Sequence, residues 1–120
     1  AEQRFRAIAE GAPIGIFMAD AAGDCVYTNT RWQQIYAMDA EAAAGDGWTQ
    51  GLHPDDRVRV ATLWRQAAAQ RQPFEAEFRL RVADGSAREV RARSQPIFDG
   101  EGNIRGHVGA VENLDDERRL

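Results

Sequence analysis

The amino-acid sequence predicts an α+β fold, a five-stranded antiparallel sheet with helices packed on one face. Three observations lead there. Phe74, Ala76, Phe78, Leu80 and Val82 alternate with Glu75, Glu77, Arg79 and Arg81, and Ala83-Asp84-Gly85 then leads into a second run that reaches Phe98. Period-two alternation marks a strand with one buried and one wet face, and a Gly after Asp between two such runs marks a hairpin. An apolar run of strand length at residues 14–20 (IGIFMAD), a turn at Ala22-Gly23-Asp24 and a short run at 24–28 (DCVYT) read as a second hairpin. The stretch between the two pairs carries helical spacing. Hairpin-linked groups of strands separated by helices imply an antiparallel sheet with the helices on one side of it.

The elements follow in chain order. Phe5, Ile8 and Ala9 recur at helical spacing over residues 2–11, and Gly11-Ala12-Pro13 stops that helix. The first two strands come next. Asn29 or Thr30 can cap a short helix that runs through Met38, with Trp32, Ile35 and Tyr36 as its inner face. Residues 39–47 are small and alanine-rich, enough for a short helical turn or two, and residues 48–53 form a connector. Pro54 suits the first position of a longer helix, with Asp55 and Asp56 in the first turn, where the helix dipole favours acids. Its apolar stripe is predicted as Val60, Leu63, Trp64 and Ala67, and its end near Arg71-Gln72-Pro73. After the long hairpin, residues 99–103 (DGEGN) turn the chain into a last strand over 104–114. Residues 115–120 (DDERRL) read as the start of an outgoing helix.

The register of the long hairpin can be argued from charge. A two-residue Asp84-Gly85 loop would set Phe78 against Arg91 and Leu80 against Glu89, mixing the faces. A three-residue loop with Gly85 left-handed shifts the parity by one. Phe78 then faces Val90 and Ala76 faces Ala92, while Arg79, Glu77 and Arg93 meet Glu89, Arg91 and Glu75. Opposite-charge cross-strand pairs contribute roughly 0.2–1 kcal/mol each, so the bulged register is the predicted one.

The totals bound the function. At 120 residues the chain is one domain with a single modest core. A net charge of −4, with arginines interleaved among acids, argues against nucleic-acid binding, which wants a basic face. No apolar run approaches the roughly 18 residues of a membrane span, and no signal-peptide pattern opens the chain. The single cysteine, Cys25, cannot form an internal disulfide, which fits a reducing, cytoplasmic setting. Both ends are charged helical segments, as expected of a piece of a longer protein.

The order of these elements and their phrases resembles a PAS domain with its C-terminal PAC segment. The phrases are IGIFMAD at 14–20 and GDCVYTN at 23–29 leading into the Trp32 helix, then Trp48 with Leu52-His53-Pro54-Asp55-Asp56-Arg57. FEAEFRLR at 74–81, Asp84-Gly85-Ser86, Pro96-Ile97-Phe98-Asp99 and GHVG at 106–109 complete the set. The resemblance covers nearly the whole chain. It implies the spatial strand order 2-1-5-4-3 and a division into a flanking helix (1–12), a PAS core (13–114) and the start of a signalling helix (115–120). Two departures stand out. Glu89 occupies a place where many relatives carry Trp, and Asn113-Leu114-Asp115 stands where relatives usually have an Asp-Ile-Thr signalling motif.

Catalysis is not indicated. No Ser or Cys sits in a nucleophile elbow, no glycine-rich phosphate loop is present, and no His/Cys cluster has metal-ligand spacing. Adjacent Asp55 and Asp56 point apart and serve the helix start. His53 belongs to that start too, and His107 lies mid-strand, on the opposite face from Ile104 and Val108, so neither is expected to ligate haem as a helix histidine does in some PAS domains. The light-sensing flavin members use a cysteine in an Asn-Cys-Arg phrase on a helix. Cys25 is on the second strand, where a small buried residue is the ordinary reading. No cofactor is assigned from the sequence.

A ligand pocket is the remaining candidate. Trp32, Tyr36, Trp48 and Trp64 supply aromatic walls, Phe78 adds another, and the inward residues of the fourth strand, Val90, Ala92 and Ser94, are small enough to leave room. A closed apolar core satisfies the same pattern. Phe5 and Ile8 on the leading helix are the predicted dimer flank, over the outward faces of strands one, two and five, and Asn113, Leu114 and Asp115 the predicted signal output. The resemblance therefore implies a sensory or regulatory module of a larger histidine kinase or diguanylate cyclase type of protein. It would sense a small ligand or partner, act as a homodimer and pass a conformational signal to an effector in the same chain. The alternatives are a ligand-free dimerisation or spacer domain and, less, a haem or flavin redox sensor.

Overall fold

A computed structural model describes residues 2–81 and 85–115. Helix α1 spans Glu2–Glu10, followed by strands β1 (Gly15–Ala19) and β2 (Cys25–Thr28). Helices α2 (Thr30–Tyr36) and α3 (Ala40–Ala43), a 3-10 turn (Gly47–Gly51) and the long helix α4 (Pro54–Gln70) come next. Strands β3 (Phe74–Arg81), β4 (Ala87–Phe98) and β5 (Ile104–Asn113) complete the fold. The five strands form one antiparallel sheet in the order β2-β1-β5-β4-β3. That is the fold class the sequence pattern predicts and the strand order the resemblance implies.

The hairpin has the bulged register. Phe78 pairs with Val90, Ala76 with Ala92, Glu77 with Arg91 and Arg79 with Glu89. Gly85 is left-handed at φ 86°, the conformation glycine adopts without a Cβ penalty; Val82, Ala83 and Asp84 lie outside the described residues. Even-numbered residues of β3 are buried and odd ones face out, as alternation requires. Arg91 reaches Glu77 at 3.6 Å, while Arg93 reaches Glu112 of β5 at 3.9 Å.

Asn29 organises the first half of the chain. It is fully buried and caps α2, its Oδ1 accepting from Trp32 N–H at 2.9 Å. The same oxygen accepts from Ile16 N–H at 2.8 Å, and Nδ2 donates to Ala9 O at 2.6 Å and Ile14 O at 3.1 Å. One side chain thus joins α1, β1 and α2. Helix α1 lies against the outward side of β2, with Phe5 edge-on to Tyr27 and the Arg6 guanidinium 5.0 Å from the Tyr27 ring centre. Of its predicted apolar stripe, Ala9 is buried but Ile8 stays 68% exposed.

Some element ends and one buried face differ from expectation. Helix α2 stops at Tyr36 rather than Met38, because Ala37 turns left-handed and its N–H returns to Gln33 O. Asp39 then caps α3, accepting from Ala42 N–H at 2.8 Å. The buried stripe of α4 is Val60, Trp64 and Ala68 rather than one including Leu63, which is 40% exposed. A four-residue spacing on a straight helix places those three side chains in one row over the sheet. The last strand ends at Asn113, and Leu114-Asp115 begin a helical turn; residues 116–120 of the expected outgoing helix lie outside the described residues.

Asp56 does more than complement the dipole of α4. Its carboxylate accepts from Arg79 N–H at 2.8 Å, from Arg79 Nε at 3.1 Å and from Arg79 Nη2 at 3.0 Å. Backbone and guanidinium of one β3 residue thus hold the start of α4 to the sheet. The Arg79 hydrogen bonds outweigh burial and lower the Asp56 pKa from 3.8 to about 2. A depressed carboxylate pKa gives stability that is present above the unfolded value and is lost as pH falls through the folded one. Asp56→Asn is therefore expected to cost about 1–2 kcal/mol at pH 7, discounted because the Arg79 side chain is partly solvated. Urea unfolding of the two proteins should converge between pH 4 and pH 2; a constant difference across that window would refute the assignment.

Candidate functional site

The inner face of the sheet is the base of the site. Gly15, Phe17 and Ala19 of β1, Gly109 and Val111 of β5, Ala92 and Ser94 of β4, and Phe74, Ala76 and Phe78 of β3 lie in rows across it. Gly109 leaves a gap in its row, and the Phe17 ring fills it: a Cβ at residue 109 would collide with that ring and with Arg93 O. Above the sheet, α2 contributes Trp32 and Tyr36, whose rings stack at 3.8 Å and 10°. An i,i+4 pair shares one helix face, which is why the two rings meet.

Trp64 of α4 is the centre of the aromatic cluster. Its ring lies 5.3 Å from Phe74, 5.4 Å from His107, 6.0 Å from Phe17 and 6.3 Å from Trp48, each steeply inclined. Edge-to-face contact suits the aromatic quadrupole. The indole Nε1 donates to Gly23 O at 2.8 Å, which ties the β1–β2 turn to α4.

Between these walls lies a cavity of about 40 Å³, lined almost wholly by apolar surface. Trp32, Tyr36, Trp48, Trp64, Phe78 and Ala92 of the expected set line it, together with Phe17, Ala19, Gly23, Cys25, Val60 and Phe74. Val90 and Ser94 do not. Val90 is packed out of contact with it and is fully buried, and Ser94 lies on the inner face beside Phe74 and Gly109. The room that the small β4 residues offered is taken up by Phe17 and Trp64. Phe74 was legible in the alternation of its strand; Phe17, in an unbroken apolar run, and Cys25, Gly23 and Val60 carried no local signal for the cavity.

Polar chemistry at the wall is sparse. Burial pushes the Cys25 thiol up, against a contact with Tyr27 O at 3.8 Å. The Tyr36 phenol is raised by burial first and by neighbouring Cys25 second. His53 caps α4, its Nδ1 accepting from Asp55 N–H at 3.1 Å. His107 is 1% exposed under Trp64, and burial lowers its pKa, opposed by a backbone hydrogen bond at Ala21 and the charge of Asp20. No group of three or more potential metal ligands occurs among the described residues. Ligand pockets for drug-sized molecules run to roughly 300–1,000 Å³. Neither a haem nor a flavin ring system fits this cavity as packed, His53 is committed to its helix, and Cys25 sits on β2.

Consecutive residues of β4 reach the end of α2 and the turn after β5. Arg88 Nη1 donates to the last carbonyls of α2, Gln34 O at 3.1 Å and Ile35 O at 2.5 Å. Glu89 N–H donates to the Asp115 carboxylate at 3.3 Å, while Asn113 Oδ1 accepts from Asp115 N–H at 3.0 Å. Leu114 is buried. Asn113 thus caps the outgoing turn, and Asp115 supplies its tie to the sheet.

A family model described as the PAS fold matches residues 3–113. The chain is a PAS domain. Among curated proteins, this PAS domain is 38% identical over 117 residues to "Uncharacterized protein y4lL" of Sinorhizobium fredii, covering 98% of this chain and 14% of that protein. It is 27% identical over 117 residues to the C4-dicarboxylate transport sensor protein DctS of Rhodobacter capsulatus, covering 95% of this chain and 18% of that one. The chain therefore spans less than a fifth of either relative. Among solved structures, the N-terminal domain of a diguanylate cyclase with PAS/PAC sensor from Marinobacter aquaeolei superposes with a TM-score of 0.75 at 15% identity, over 88% of this chain and 98% of that one. That likeness shows the shared fold of the PAS domain.

Proposed function

We propose that this PAS domain is a sensory module within a longer signalling protein of histidine kinase or diguanylate cyclase type. One relative is the C4-dicarboxylate transport sensor protein DctS and one structural neighbour belongs to a diguanylate cyclase with PAS/PAC sensor, which supports that class. The domain does no chemistry. It reads a change in the cavity and passes it to an effector in the same chain through residues 113–115. In this reading residues 1–12 are a flanking helix, 13–114 the sensory core and 115–120 the start of the signalling helix, in a cytoplasmic setting. No helix among the described residues is long and apolar enough to cross a membrane.

One observation carries the reading. The cavity wall and the output turn converge on adjacent residues of β4. Arg88 holds the carbonyl end of α2, the helix of Trp32 and Tyr36, and Glu89 holds Asp115. A shift of α2 strains the Arg88 contacts and the adjoining peptide, which biases whether Asp115 stays docked. A signal of this kind is a shift between two populations.

Ala92→Leu tests it by adding side chain to the cavity floor. Hydrogen exchange at the amides of Glu89 and Asp115 should rise at least tenfold more than at Glu77, in the β3–β4 ladder. Equal changes at all three sites would sink the coupling.

The small cavity favours a second reading, a ligand-free dimerisation or spacing domain, with Phe5 and exposed Ile8 at the interface. Ile8→Glu should then convert a dimer to a monomer in sedimentation. An unchanged oligomeric state would remove this reading.

A further inference from the structure

Among the described residues, two polar side-chain atoms on the inner face of the sheet have no hydrogen-bond partner: Oγ of Ser94 and Nε2 of His107. Both residues are at least 97% buried. Buried polar atoms in folded proteins are nearly always satisfied by protein or by an ordered small molecule, so two such atoms on neighbouring strands form a site.

The register places them together. Ser94 pairs with Gly109 and His107 with Pro96, so Ser94 and His107 are diagonal neighbours on adjacent strands. Diagonal neighbours on one face lie about 7–8 Å apart at the backbone, a gap that their side chains and one bridging oxygen span. Trp64 lies against His107, Phe74 stands beside Ser94 on the next strand, and Phe17 covers the gap at Gly109, so aromatic rings surround the pair. Those three rings also line the cavity; the pair lies just behind its wall.

The chemistry fixes the class of ligand. The hydrogen bond of the His107 ring goes to the backbone of Ala21, and Nε2 is unpartnered, so Nδ1 carries the proton and Nε2 presents a lone pair. Ser94 Oγ both donates and accepts. The rings around the pair carry no charge, and at His107 burial outweighs the opposing charge of Asp20, so a neutral partner suits the pair better than an ion. A cavity of about 40 Å³ admits a few heavy atoms at most.

We propose that His107 Nε2 and Ser94 Oγ form a subsite for one neutral hydroxyl group, which donates to Nε2 and accepts from Oγ–H. The hydroxyl comes from water or from a small alcohol whose alkyl end turns into the adjoining cavity past Trp64. The alcohol source deepens the sensory reading and rests on it; the water source stands without it.

Isotope-labelled protein tests both sources with water and 1-propanol as probes. The expected result is a histidine spectrum with Nε2 unprotonated and hydrogen-bonded, with cross-relaxation from a long-lived water to the His107 ring protons. If alcohol also binds, 1-propanol should give saturable shifts at the Trp64 indole and the His107 ring, weakened at least tenfold in Ser94→Ala and restored in Ser94→Thr. Persistence of the water signal with only linear propanol shifts assigns the site to water and leaves the coupling to Asp115 to its own exchange experiment. Absence of both signals, or signals indifferent to Ser94→Ala in a variant whose amide spectrum remains folded, overturns the subsite.

Discussion

Asn29→Ala is expected to lower the stability of the domain by about 3 kcal/mol, and its melting temperature by roughly 10 °C or more. The side chain is fully buried and uses both of its ends twice. Truncation removes the helix cap, worth about 1 kcal/mol. It also leaves the Ile16 N–H and the carbonyls of Ala9 and Ile14 without this partner, and unsatisfied buried groups cost about 1–3 kcal/mol each. Asn29→Asp separates the contributions. A carboxylate can still accept from Ile16 and Trp32 but cannot donate to Ala9 O and Ile14 O. It should keep α2 capped while loosening α1, read as faster amide exchange in residues 5–12 with little change at Trp32. If Asn29→Ala melts within a degree or two of the parent, this junction is not what joins α1 to the core.

Trp64→Ala should be the more damaging change, at about 3–5 kcal/mol by analogy with other buried aromatic truncations. The ring is 4% exposed and touches Phe17, Phe74, Trp48 and His107. Its loss also leaves Gly23 O without the indole donor. Against a typical total of 5–15 kcal/mol, such a loss brings a domain of this size near its threshold. Trp64→Phe keeps most of the ring and loses the N–H, so it should cost about 1–2 kcal/mol. Denaturant unfolding of the pair gives the comparison. Equal costs would mean that the Gly23 hydrogen bond, not the packing, is the dominant contribution.

Much of the fold was legible because its signals are local. The alternation along residues 74–81 sets strand and face, and the turn at Gly85 together with the opposed charges sets the register. Pro54 and Asn29 announced their helices. What escaped depends on partners far along the chain. Asp56 next to Asp55 looks like a helix-start acid; only the approach of Arg79, 23 residues on, makes it a clamp. Leu63 fits a helical stripe as well as Ala68 does, and the sheet beneath decides between them. The small residues of β4 fitted a pocket and a closed core alike, and what narrows the space, the Phe17 ring crossing over Gly109, comes from a strand at the other end of the sequence. Asp115 could be read as output, but its acceptor role toward Glu89 needed the β4–β5 pairing.

In the sensory reading proposed above, the size of the cavity makes the domain a gauge of volume. Protein interiors are packed like organic crystals and yield in discrete rearrangements. With about 40 Å³ available, any larger guest must push a ring aside, and the work of doing so is subtracted from its apparent affinity. In that reading, tightness of the resting core and amplitude of the response are linked: a variant that widens the chamber should bind more firmly and report less.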